Sequence, residues 1–202
     1  MKYRVKHDGV TKTYAVLQHT AWHLLESAKA REEGAMLNLQ AAAVFYAFAF
    51  EAYLNHVGQE EIQIWDEIER VSHANKLRII AKQLKLKVDL GRPPFKMVRD
   101  LFNFRDMLAH GRTKKIDVQY EADEEPHHLS SWRIHDWEKL TIQKVQVYAS
   151  SVREAVETIN HSRPVPDEMV WNQGMRGRSV ELIADAGRTS ACNTTTRKPC
   201  RD

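Results

Sequence analysis

Cysteine is almost missing from this chain: among 202 residues only Cys192 and Cys200 carry a thiol. Two thiols set apart more widely than the short gaps of zinc sites make neither a disulfide framework nor a metal knuckle. Long apolar runs are also lacking. No stretch of about eighteen consecutive apolar residues occurs, so a membrane span is not expected. The first residues, MKYRVKHDGVTKTY, lack the apolar core and small-residue cleavage pattern of a secretion signal, and the expected location is the cytoplasm. There is no Gly-rich phosphate loop, nucleophile elbow or paired-carboxylate metal motif, so neither metal nor cofactor is expected. Excess charge is small as well. The formal charge is +3, and residues 163 to 202 hold seven Lys/Arg against five Asp/Glu, which leaves +2 in that tail and +1 in the body. A broad basic surface for duplex DNA is thereby excluded, and any nucleic-acid contact must be local.

What is present is ordinary globular composition, 43% hydrophobic and 28% charged, at a length that suits one domain with an appendage. The pattern along the chain is helical. Leu17, Leu24, Leu25 and Ala28 mark a first helix from Thr13 to about Glu33, closed by Gly34 as a left-handed cap. The next segment, AMLNLQAAAVFYAFAFEAYLNHVG, is apolar on most sides and reads as a central helix ending at Gly58. Two shorter amphipathic pieces follow, EEIQIWDEIERV and SHANKLRIIAKQLKL. After the turn at Gly91-Arg92-Pro93-Pro94, another helix runs from about Phe95 to His110. Between Lys115 and Trp137 the period changes to alternation and predicts a small β-hairpin. Val145, Tyr148, Val152, Ala155, Val156 and Ile159 mark a last helix from Leu140 to about His161. The expected organisation is an all-α domain over 1–162 with the hairpin inserted near 115–137, followed by a poorly structured tail over 163–202. Within that tail, Val180 to Ala184 is the one apolar cluster, compatible with a weak helix.

One stretch does not fit a plain core helix: FNFRDMLAHGRT, Phe102 to Thr113. At about 100° per residue, Val98, Leu101, Phe102, Leu108 and Ala109 share a stripe with Arg105 in its middle. A cation on a buried stripe must be paired, hydrogen-bonded or awaiting an anion. His110 lies about 140° around the cylinder from Arg105, so a straight helix does not aim both at one spot. Gly111 can end the helix there and release His110, or a second copy can bring another Arg and His across a twofold axis. Glu51 and Asn55, four apart on the most apolar helix, share a face. Glu51 there needs a cation, either as a group that orients Arg105 or His110 or as a simple ion pair between packed helices.

The R-D-M-L-A-H run of residues 105 to 110, the AHG ending, the preceding GRPPFKMVRDLFNF and the glutamate within FAFEAYLN together resemble the HEPN superfamily, the higher eukaryotes and prokaryotes nucleotide-binding domains. The resemblance spans roughly residues 13 to 160. It implies an antiparallel helical bundle, a homodimer, and a cleft in which Arg105 and His110 of both subunits cut RNA without a metal. His110 would move the proton of a ribose 2′-hydroxyl, Arg105 would hold the scissile phosphate, and Asp106 would orient His110. The implied product carries a 2′,3′-cyclic phosphate, and the implied setting is a toxin or phage-defence effector with an antitoxin or other regulatory protein. The alternative is a HEPN fold that does not cut and serves as an RNA-binding or protein-interaction dimerisation module. One departure stands out: where nucleotide-silenced HEPN toxins carry tyrosine two residues after the histidine, this chain has Arg112. With Lys114 and Lys115 it forms a local basic patch, either a second phosphate contact or a solvated loop.

Other signals are weaker. His19 and His23 have the spacing of a zinc-binding helix but lack the intervening glutamate, and packing or surface histidines explain them. His127 and His128 follow Glu124 and Glu125 in the hairpin tip, where a solvated loop accounts for them. Trp132 and Trp137 either cover the hairpin or stack on RNA bases.

Overall fold

A computed structural model describes residues 2–113, 140–174 and 176–183. The chain divides into two compact units, one formed by residues 12–173 and the other by the two terminal segments. Among the described residues of the larger unit every regular element is a helix: α1 Thr13–Ala30, α2 Ala35–Glu61, α3 Trp65–Ile68, α4 His73–Gln83, α5 Phe95–Ala109 and α6 Ile142–His161.

α1 and α2 both bury small residues, Ala15, Ala21 and Ala28 on the first and Ala42, Ala43 and Ala47 on the second. Small side chains let two helix backbones approach closely along their length. Larger residues on α2, among them Phe50, Tyr53 and Leu54, meet the apolar faces of the other helices in one continuous core. Phe50 packs edge-on against Phe102 of α5 with centroids 6.2 Å apart. All six residues expected to mark α6 are buried, and the helix opens on Thr141, whose hydroxyl accepts from the Lys144 N–H at 3.1 Å. α2 is long and apolar enough to cross a membrane by length and composition; its buried residues here face neighbouring helices.

Several boundaries differ from the sequence pattern for identifiable reasons. α1 ends at Ala30, short of Glu33, and Gly34 adopts φ +73° as the residue preceding α2. α2 does not stop at Gly58 but continues to Glu61. A Cβ at Gly58 would lie 2.2 Å from the Trp65 ring, so this glycine is a close-approach residue inside the helix. The run beginning at Glu60 therefore splits, its first residues finishing α2 and only Trp65–Ile68 forming a turn of helix. On α5 the buried stripe includes Phe104, whereas Leu108 is half-buried and Ala109 exposed. The helix leaves the core in its last turn.

Residues 163–173 do not behave as a tail. Arg163 donates to Glu61 at 2.9 Å and pairs with Glu60, Asn160 and Asp167 exchange two hydrogen bonds of 3.0 Å, and Lys12 pairs with Asp167. Val170 is buried and the Trp171 indole donates to Glu157 at 3.2 Å. The expected boundary at 162 thus moves to 173.

The smaller unit contains β1 Lys2–Gly9 and β2 Arg176–Ile183, antiparallel, with Val5 opposite Val180. The cluster around Val180 therefore belongs to a strand and not to a weak helix. Gly174 holds φ +116° and a Cβ there would collide with the Val10 carbonyl, which only glycine avoids. The hairpin over 115–137, with His127, His128, Trp132 and Trp137, lies outside the described residues, as do Lys114, Lys115 and residues 184–202.

Candidate functional site

α2, α4 and α5 bring a set of charged side chains to one place. Glu51, in the middle of α2, bridges two cations: its Oε1 accepts from Lys76 of α4 and its Oε2 from Arg105 of α5, each at 3.0 Å. Arg105 donates from its other terminal nitrogen to Asp106 at 2.7 Å. Two carboxylates thus face two cations. The pairing is partly enclosed, with the Arg105 side chain 20% exposed and Lys76 5%. Removing a partner from such a pair leaves a poorly solvated charge, whose cost is several times that of a surface ion pair.

The aromatic surroundings hold the arginine in position. Its guanidinium carbon lies 5.5 Å from the Phe102 ring centroid and 5.9 Å from that of Phe48, within cation–π range. Phe102 carries the His73 ring on it in a near-parallel stack, 3.6 Å between centroids and 7° between planes. Burial pulls the His73 pKa below the ordinary histidine value; Asp106 and Glu51 push the other way, while Arg105 and Lys76 add to the lowering. The neutral imidazole is the form this site favours. Arg105 Nε is buried with no hydrogen-bond partner among the described residues.

The expectation that Glu51 meets Arg105 holds. Asn55 is not drawn into the cluster, and its Oδ1 is buried without a partner among the described residues. Asp106 does not orient His110: its carboxylate is taken by Arg105, and the link to residue 110 is through the backbone, His110 N–H to Asp106 C=O at 2.9 Å. The side chain of His110 is exposed at the helix end, where φ −110° and ψ 18° depart from helical values. Gly111 follows without a positive φ, so the chain leaves the helix through His110 itself. Arg112 is exposed beside it.

Two members of the cluster, His73 and Lys76, were not singled out from the sequence, although the signal is there. On α4 the buried residues are Lys76, Leu77, Ile80 and Ala81, and His73 precedes them at the same helical period. A lysine embedded in an apolar stripe carries the same message as Arg105 in its own.

Among the described residues, no three His, Cys, Asp or Glu side chains are grouped to hold a metal ion. His19 and His23 face each other, with Nε2 atoms 3.0 Å apart, and no third ligand from the described residues joins them. No protein-family model matches the chain, and comparison with curated proteins and with solved structures finds no match.

Proposed function

We propose that the protein is a metal-independent endoribonuclease of HEPN type that acts as a cytoplasmic homodimer with an antiparallel-bundle fold. The observation that carries this reading is the division of labour on one helix end: Arg105 is fixed by Glu51 and Asp106, while His110, five residues on, is exposed and has no side-chain partner among the described residues. A positioned guanidinium suits a phosphodiester and the charge that builds on it, and an accessible imidazole, which can both take and give a proton, suits proton transfer. In the reaction, His110 takes the 2′-hydroxyl proton as that oxygen attacks phosphorus. The 5′-oxygen leaves and takes the proton back from the protonated His110, giving a 2′,3′-cyclic phosphate and a 5′-hydroxyl and restoring the neutral imidazole. Phe48 and Met107, both exposed and apolar beside this end of α5, offer a contact for a second subunit, which would set a second Arg105 and His110 against the first. Toxin or phage-defence roles, with a regulatory protein as antitoxin, accord with such an activity.

A different reading is favoured by one feature: both terminal nitrogens of Arg105 already serve carboxylates. A phosphate would have to compete with Glu51 and Asp106 for them. In that reading the cluster is structural and the protein is a non-catalytic RNA-binding or protein-interaction module. Incubation of the purified protein with cellular RNA in EDTA, with the 3′ ends of the fragments identified, separates the two. Cyclic phosphate ends are expected from the nuclease; intact RNA from a folded dimer favours the module.

A further inference from the structure

α4 ends in a turn that folds the chain back along it. Lys85 takes the left-handed conformation, φ +54°, and the Leu86 N–H returns to the Ala81 carbonyl at 2.8 Å, the closure that caps a helix and redirects its chain. Residues 86–89 then run on as neither helix nor turn. Between them and α4 lies a cleft of about 360 Å³, lined by Leu86, Val88 and Leu90 from the segment and by Leu77 and Ala81 from the helix. The alternation is that of an extended strand showing one face to the cleft. Leu90, at its open end, is 41% exposed.

The surroundings of this cleft are cationic. From His73 to Val88 the sequence holds five Lys/Arg and no Asp or Glu. Lys76 is spent on Glu51. Arg78 and Lys82 line the cleft, Lys85 and Lys87 alternate with its apolar residues, and all four are exposed with no ion pair among the described residues. The backbone also has capacity to spare. The N–H groups of Lys87, Val88, Asp89 and Leu90 make no hydrogen bond among the described residues, as on the free edge of a sheet.

We propose that this cleft docks an extended peptide segment of a partner protein, apolar at alternate positions and acidic between them. The apolar side chains would enter the cleft against Leu77, Val88 and Leu90, the carboxylates would meet Lys82, Lys87 and Arg78, and the main chain would pair with residues 87–90 as an added strand. Cations, apolar floor and free backbone together choose this occupant. A nucleic-acid strand would use the cations and leave the apolar floor unfilled, and a lipid surface takes up protruding apolar residues, whereas these line a concavity. The inference stands on α4 and residues 86–90 and does not depend on whether Arg105 and His110 cut RNA.

The test is NMR of the full chain, following the backbone amide signals of residues 77–90 during titration with heptapeptides that alternate a charged residue, Glu or Lys, with Val or Ser. The Glu/Val peptide is expected to shift these signals saturably, and the Glu/Ser and Lys/Val peptides to bind about tenfold more weakly or less. Leu90→Glu, at an exposed side chain, should weaken the Glu/Val peptide about tenfold with the melting temperature retained. Lys82→Glu with Lys87→Glu should reverse the preference toward the Lys/Val peptide, which a merely structural role for these lysines would not do. No saturable shift with the Glu/Val peptide, or equal binding of all three peptides, would overturn the proposal. So would an oligodeoxythymidylate or a phosphatidylserine vesicle that saturates the same signals where the peptide does not.

Discussion

α2 carries two carboxylate–arginine clusters, and they differ in what they leave over. At its C-terminal end, Glu60 and Glu61 hold Arg163, whose side chain is only 7% exposed, and His56, Lys12 and Asp167 lie close by. Every strong charge there is spent on fastening residues 163–173 to the helices. In the middle of the helix, Glu51 holds Lys76 and Arg105, but the helix that brings Arg105 also presents His110 at its exposed end. The first cluster ties chain to chain; the second positions a cation and ends beside a titratable group. A buried ion pair by itself therefore says little about activity, and what distinguishes the two is the exposed histidine, which has no side-chain partner among the described residues.

The difference should be visible in stability first. Arg163→Ala removes the more enclosed cation from two carboxylates and is expected to cost about 3–5 kcal/mol, read as a lowered midpoint in urea unfolding. Arg105→Ala, at a more exposed site, is expected to cost less, about 1–3 kcal/mol, and to abolish RNA cleavage while the fold is retained. If Arg105→Ala unfolds the chain as severely as Arg163→Ala, the two clusters are alike and the structural reading gains. Arg105→Lys should keep most of the stability but not the cleavage, because one ammonium cannot reproduce the planar fork.

Acid should act on both clusters in the same direction. Burial holds His56 and His73 below the ordinary histidine range; for His56, Glu60 and Asp167 oppose that lowering while Arg163 and Lys12 add to it. The unfolded chain therefore binds these protons more readily. The neutral histidines' contribution is fully present above the unfolded value of about 6.5 and is lost as pH falls below it. Asp167 acts at lower pH. Burial alone would raise its pKa, but the Lys12 contact and the Met169 N–H hold it below the usual value, so its contribution fades only as the carboxylate protonates. His73→Gln should flatten the first part of a urea-midpoint-against-pH curve near the Glu51 cluster, and His56→Gln should do the same at the other end. The smallest effect belongs to Asp106→Asn, at a partly exposed carboxylate: about 1 kcal/mol or less in urea unfolding, with cleavage largely kept.

These clusters also mark how far the sequence could be read. Arg105 was legible because a charge in the middle of an apolar stripe contradicts the period around it, and Glu51 was legible for the same reason. The bridge through Lys76 was not, since only the packing of α4 against α2 shows which carboxylate it meets. Arg163 lay just past the end of the last periodic helix, next to Pro164 and Pro166, where local pattern gives no sign of partners about a hundred residues away. The β1–β2 pair was hidden for the same reason, because the first residues of the chain pair with residues near its other end. Asp106 was misassigned because helical spacing places it near His110, while an adjacent arginine takes its carboxylate first.

The central claim is that His110 transfers the proton at a phosphate held by Arg105. Its most direct test is the rate of RNA cleavage in EDTA by the wild-type chain and by His110→Ala, compared at equal fold and equal oligomeric state. A fall of about 10²–10⁴-fold in the variant, with cyclic phosphate ends on the wild-type fragments, is the predicted result. Equal rates in the two proteins would contradict it.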